Sequence, residues 1–264
     1  MHESNRQIQV LADPEAVSRV AAIEFLRSAR ASIERSGRFT VALSGGSTPR
    51  QLYELLGSAE FRDRVRWANI HFFWGDERHV PPTHPDSNYR MAYEALLSKV
   101  PVPAANIHRV PAEDPDANRA AQAYEDELRR SFQLKSDQLP RFDLVLLGMG
   151  GDGHTASLFP GTAALVETAR LVVAVWVPKF NQFRITFTLR VLNAAAQVLF
   201  LVVGQEKADA LRRVLEPAEG SDPIPAQLIQ PTEGEAKWLV DQRAASRLSV
   251  SFPVSSGDAL SRLR

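Results

Sequence analysis

Cysteine is absent from all 264 residues, which excludes disulfides, thiolate metal sites and cysteine nucleophiles. A net charge is missing too: Lys+Arg and Asp+Glu each number 31. No global field would concentrate such a chain on nucleic acid or on an anionic membrane, so an anionic ligand must be met by local donors and cations. No uninterrupted apolar run approaches the about 20 residues needed to cross a bilayer, and the opening MHESNRQIQV has no apolar signal core. The expectation is a soluble, cytoplasmic protein with neither nucleic acid nor membrane as partner. There is no internal repeat, low-complexity stretch or break in composition. One domain over 1–264 is therefore expected, with 246–264 as a loose tail where periodicity fades.

Short β-rich apolar runs alternate with longer helical patterns from end to end, as in βα repeats on a parallel sheet. Strands are predicted at 7–12, 39–43, 70–74, 142–147, 171–177, 184–189, 198–203 and 237–240. Several are apolar almost throughout, which predicts cover on both faces. The fold class is thus α/β: a mostly parallel, Rossmann-like sheet with helices on both sides. Asp13-Pro14 supplies an N-cap and a proline for the first helical position, and Gly37 a helix stop. Between them Ala16, Val20, Ile23, Leu26, Ala29 and Ile33 form one buried stripe. Further helices are predicted at 87–100, 117–132 and 205–215, and the charges of Tyr124-Glu-Asp-Glu-Leu-Arg-Arg read as a solvated helix face.

Four polar segments follow predicted strands directly: Ser44-Gly-Gly-Ser-Thr-Pro, Gly75-Asp-Glu-Arg-His, Gly148-Met-Gly-Gly-Asp-Gly-His and Gly204-Gln-Glu-Lys. Parallel strands end at one sheet edge, where ligands bind, so these loops are expected to share a pocket. In the first, Gly45, Gly46, Ser47 and Thr48 stand between a strand and a helix predicted to begin near Pro49. Glycines admit close backbone approach and a helix N-terminus attracts anions, which suits phosphate. The same residues also suit a tight turn with Thr48 as an N-cap. No Gly-Lys-Ser/Thr follows, so this is not a Walker loop.

In the second segment an extended backbone would put Asp76 and Arg78 on one side. Such a cluster is a polar site or a solvated turn. His79, His84 and Asp86 match no standard metal spacing, whereas Pro85 and Asp86-Ser87 suit a loop and a helix cap. The third segment contains Gly148, Gly150 and Gly153 as a GxGxxG, but without the context of a dinucleotide site. Its Asp152-Gly-His154-Thr155 places a carboxylate and an imidazole beside a predicted helix start. Arg184 and Lys207 lie at element ends, as surface charges or as phosphate partners.

Together SGGSTPRQLY, WGDERHVPPTHPDSNYRMA, FDLVLLGMGGDGHTASLFPG, RITFTLRVLNAAAQVLFLVVGQEKADAL and PAQLI resemble the 6-phosphogluconolactonase family, within a wider group that includes glucosamine-6-phosphate deaminase. The resemblance implies hydrolysis of 6-phosphoglucono-δ-lactone, a sugar phosphate, in the pentose phosphate pathway, without metal or organic cofactor. It further implies His154 as the general base, with Asp76 and Asp152 as its carboxylates and Arg78 steadying charge at the lactone. Phosphate would fall to Gly45, Gly46, Ser47 and Thr48, with Arg184 and Lys207. The deaminases carry a glutamate soon after the histidine, whereas here Ser157-Leu-Phe-Pro-Gly follows, with no acid before Glu167. A sugar-phosphate sensor without catalysis would need an output module, and no basic helix-turn-helix segment is present. For oligomeric state a monomer is marginally favoured.

Overall fold

A computed structural model describes residues 6–249 and 253–255. After β1 (Arg6–Leu11) comes α1 (Pro14–Ser36). The Asp13 carboxylate accepts from Ala16 N at 2.8 Å, and Gly37, with φ of 76°, returns its N–H to Ile33 O. Both helix ends thus follow from the capping residues. Burial along α1 is wider than one stripe, because Val17, Ala21, Ala22 and Phe25 are also sealed. The helix packs on β2 (Phe39–Leu43), β8 (Gln197–Val202) and β9 (Glu235–Asp241).

These strands belong to a seven-stranded sheet in the order β10-β1-β9-β8-β5-β2-β3. Here β3 is Ile70–Trp74, β5 is Leu144–Leu147 and β10 is Val254–Ser255. Every pairing in it is parallel. All residues of β2 and β5 are buried, so both faces are covered. Phe200 and Trp238 stack across β8 and β9 with centroids 3.7 Å apart. Truncating either to alanine should cost about 3–5 kcal/mol.

Two strands expected in this sheet lie elsewhere. β6 (Val172–Val177) and β7 (Gln182–Phe187) pair antiparallel with each other, and β7 pairs with β4 (Asp76–Arg78), in a separate sheet ordered β4-β7-β6. Their direction is set by the short Pro178–Phe180 turn, which is too brief for a parallel crossover. Gly75 joins the two sheets: its N–H donates to Leu43 O and its carbonyl accepts from Phe187 N.

α4 (Ala117–Ser131) lies against this second sheet. Glu125 is not on a solvated face, as its charged neighbourhood had implied. It is buried and accepts from Arg129, from Arg170 Nε and from the backbone of Leu171 and Val172. Those hydrogen bonds anchor the start of β6. The expected loose tail is ordered in part: Ala244–Arg247 form a 3-10 turn and β10 pairs with β1, while 250–252 and 256–264 lie outside the described residues.

Candidate active site

At the carboxyl edge of the parallel sheet all four polar loops line one cavity of about 230 Å³. The glycine loop forms one wall. α2 (Ser47–Leu56) starts two residues before Pro49, with Gly46 at the N-cap, so Thr48 sits inside the first turn and is not the cap. Ser47 and Thr48 therefore lie where helix N–H groups lack intrahelical partners, facing the cavity. Tyr53 braces the loop from below, its hydroxyl donating to Ser44 O at 2.9 Å and accepting from Ser44 N at 3.0 Å. Gly45 is dictated by space, since a Cβ there would lie 1.9 Å from Asn88 Oδ1.

The strand β4 supplies the second wall. Alternation along it turns Asp76 and Arg78 toward the cavity. Asp76 Oδ2 accepts from Ser157 Oγ at 2.7 Å, and Arg78 Nη1 donates to Asp86 O at 2.8 Å. Glu77 is buried and gathers four donors: Arg78 N, Asn88 N, Tyr89 N and Ser87 Oγ. Burial outweighs these hydrogen bonds and raises its carboxyl to about 6. Ser87 caps α3 (Asn88–Ala95) as its position after Asp86 implied, and Asn88 Nδ2 donates back to Asp76 O. The histidines beside Arg78 turn elsewhere, with His79 Nε2 donating to Asp114 O and His84 Nδ1 accepting from Asp86 N.

The third loop carries the imidazole. No helix starts at Asp152; the segment is a turn closed by Gly153 N to Gly150 O and Gly150 N to His154 O. A Cβ on Gly150 would come within 2.0 Å of His154 Nδ1, so glycine is what lets the ring fold back over the loop. His154 Nδ1 is bonded to Asp152 Oδ1, and the ring stacks on Phe159 at 4.1 Å. Burial would raise the Asp152 carboxyl, but the bond and charge of His154, helped by Lys179, prevail and lower it to about 2. With Nδ1 held by a carboxylate, Nε2 is the nitrogen left to take a proton.

Of the two distant cations, Lys207 lines the cavity from the β8 edge, at the end of the Gln205–Lys207 turn that leads into α5 (Ala208–Leu215). Arg184 does not line it. It stands opposite Arg78 on β7, largely buried and 5.2 Å from the Phe180 ring. Asp152 also sits behind the imidazole and outside the lining. Asn88 and Ser157 are additions that motif spacing did not single out, and Glu77, one of the three charged residues after β3, braces Asn88 instead of lining the cavity. Only the capping serine in Asp86-Ser87-Asn88 hinted at this corner, because the contacts that matter run between loops far apart in sequence.

A family model described as "Glucosamine-6-phosphate isomerases/6-phosphogluconolactonase" matches residues 12–238. The chain belongs to this family. A 6-phosphogluconolactonase of Synechocystis sp. is 44% identical over 242 residues, covering 92% of this chain and 98% of the relative. One of Nostoc sp. is 44% identical over 245 residues, 93% and 99% of the two chains. The solved structure of 6-phosphogluconolactonase from Trypanosoma brucei superposes with a TM-score of 0.82 at 31% identity, covering 94% of this chain and 100% of that one. The match to the family therefore extends over nearly the whole chain, and the range it covers contains Asp76, Arg78 and Arg184. No described helix is long and apolar enough to cross a membrane.

Proposed function

We propose that this chain is a 6-phosphogluconolactonase, hydrolysing 6-phosphoglucono-δ-lactone to 6-phosphogluconate in the oxidative pentose phosphate pathway. The observation that carries the reading is the His154–Asp152 pair, whose imidazole opens onto the same cavity as Arg78 and the glycine loop. In this reading water attacks the lactone carbonyl carbon while His154 Nε2 takes its proton. Negative charge gathers on the carbonyl oxygen, where Arg78 stabilises it. Collapse of the tetrahedral intermediate breaks the bond to the ring oxygen, which takes the proton back from the imidazolium. Water is thus divided between acid and hydroxyl, and proton transfer with oxyanion stabilisation needs no cofactor.

Phosphate is assigned to the N-terminus of α2 at Gly45, Gly46, Ser47 and Thr48, with Lys207 across the cavity and Arg184 behind Arg78. Asp76, tied to Ser157 and Asn88, fixes the floor beside the reacting carbon. A deaminase lacks support here. Glu167, the first acid after His154, accepts from Ala169 N and Arg170 N and is not in the cavity wall.

The test is an assay of purified protein with enzymatically generated 6-phosphogluconolactone, corrected for spontaneous opening, with glucosamine 6-phosphate in parallel. Lactone turnover without ammonia release is expected. Ammonia release without lactone turnover would reverse the assignment.

A further inference from the structure

The turn between β6 and β7 has no part in the reaction as described, yet it leans over the imidazole. Lys179 Nζ lies 3.3 Å from Asp152 Oδ2, the carboxylate oxygen that His154 does not use. The next residue, Phe180, meets Phe159 at 5.9 Å, and Phe159 in turn stacks on the His154 ring. We propose that Lys179 is a positioning residue for the His154–Asp152 pair, fixing the carboxylate from outside and holding down its pull on the imidazole proton. The inference rests on His154 being the base.

A carboxylate bonded only to an imidazole favours the imidazolium, and so withholds the base near neutral pH. A cation on its other oxygen offsets part of that pull and restrains rotation of the carboxylate. The other charged groups lining the cavity with His154 are Asp76 and Arg78 from β4 and Lys207 from the β8 edge, with Arg184 on β7 opposite Arg78. None of them is bonded to Asp152 among the described residues, so the second oxygen belongs to Lys179 alone. Lys179 is exposed, with 62% of its side chain open to solvent. The link is therefore screened by salt, and the residue can be replaced without disturbing the core.

The experiment follows the His154 Cε1–H resonance through a pH titration in the full-length protein. The resonance is assigned by its loss in His154→Ala, and kcat/KM is recorded over the same range. In Lys179→Met the titration midpoint should rise by about half a pH unit, with the acid limb of kcat/KM following it. Lys179→Arg should restore both, and about 0.5 M salt should shrink the difference. Coincident titrations in wild type and Lys179→Met would overturn the inference. A midpoint that moves while the acid limb stays would uphold the Lys179 link and instead contradict His154 as the base.

Discussion

Arg78 and Arg184 face each other as a directly registered pair across the antiparallel β4–β7 ladder. Like charges in this position repel. Burial first, and then the charge of Arg78, lower the Arg184 guanidinium from its ordinary value, and Arg184 Nη1 is buried without a hydrogen-bond partner among the described residues. In the proposed assignment an anion held beside Arg78 offsets the repulsion between the two guanidiniums, while Arg184 itself stays behind the cavity wall. Lys207→Met is expected to raise KM for the phosphorylated lactone roughly 10–100-fold, the worth of one lost charge-assisted interaction, with little change in kcat. Arg184→Met, which removes a positive charge behind the cavity wall, should raise KM in the same direction but by less. Steady-state kinetics with phosphorylated and unphosphorylated gluconolactone checks this, and equal efficiency on the two substrates would remove the phosphate assignment.

Arg78 is separated from Arg184 by what it touches. It lines the cavity beside Asp76 and is steered by Asp86 O, which places it at the reacting carbon in the proposed reaction. Arg78→Ala should lower kcat by about 10²–10³, as for loss of one oxyanion donor, with a smaller change in KM. A KM effect alone would move Arg78 to the phosphate side.

Much of this arrangement is legible in the sequence because local rules decide it. β2 and β3 coincide with the apolar runs 39–43 and 70–74, each closed by polar or glycine residues, and α1 ends where Asp13-Pro14 and Gly37 place its caps. The four loops could be assigned to one pocket because parallel strands share an edge. An apolar run carries no mark of direction, however, so β6 and β7 read as parallel members of the main sheet. Asp76–Arg78 is too short and too charged to read as a strand, and exists as one through its pairing with β7. Glu125, Asn88, Ser157 and Lys179 act through partners more than ten residues away, such as Asp76 for both Asn88 and Ser157. Helical periodicity and motif spacing do not report such contacts.

Gly150 offers a steric test of the imidazole's placement. An added methyl would overlap His154 Nδ1 and lie 2.7 Å from Asp152 Oδ1. Gly150→Ala should cost about 10²-fold in kcat, the scale expected for a misplacement of about 1 Å in a reacting group. Far-UV circular dichroism should stay unchanged. Wild-type turnover in a folded variant would show that the ring's position over this loop is immaterial.

A pH effect on stability is expected away from the site. His71 Nδ1 and His108 Nε2 lie 3.0 Å apart, and His108 Nδ1 is bonded to Glu127. Burial, and then His108, lower the His71 imidazole below its ordinary value. The unfolded chain therefore takes up a proton near pH 6.5, roughly the unperturbed histidine value, that the folded chain still resists. Stability must fall as pH drops through that range. Urea denaturation at neutral and at mildly acidic pH should show a smaller loss in His71→Gln than in wild type. Equal losses would remove His71 as the cause.

In the proposed reaction every proton passes through His154. Its imidazole is held by Asp152 at Nδ1, backed by Phe159 and open to the cavity that holds Arg78 and the glycine loop. The most direct measurement is kcat/KM of wild type and His154→Ala for 6-phosphogluconolactone across pH, after subtraction of spontaneous hydrolysis. With His154 as the base, the wild type should show an acid limb as the imidazole takes up its proton, and the variant should stay folded, still bind 6-phosphogluconate and lose nearly all catalysed hydrolysis. Wild-type turnover with the same acid limb in folded His154→Ala would contradict that role.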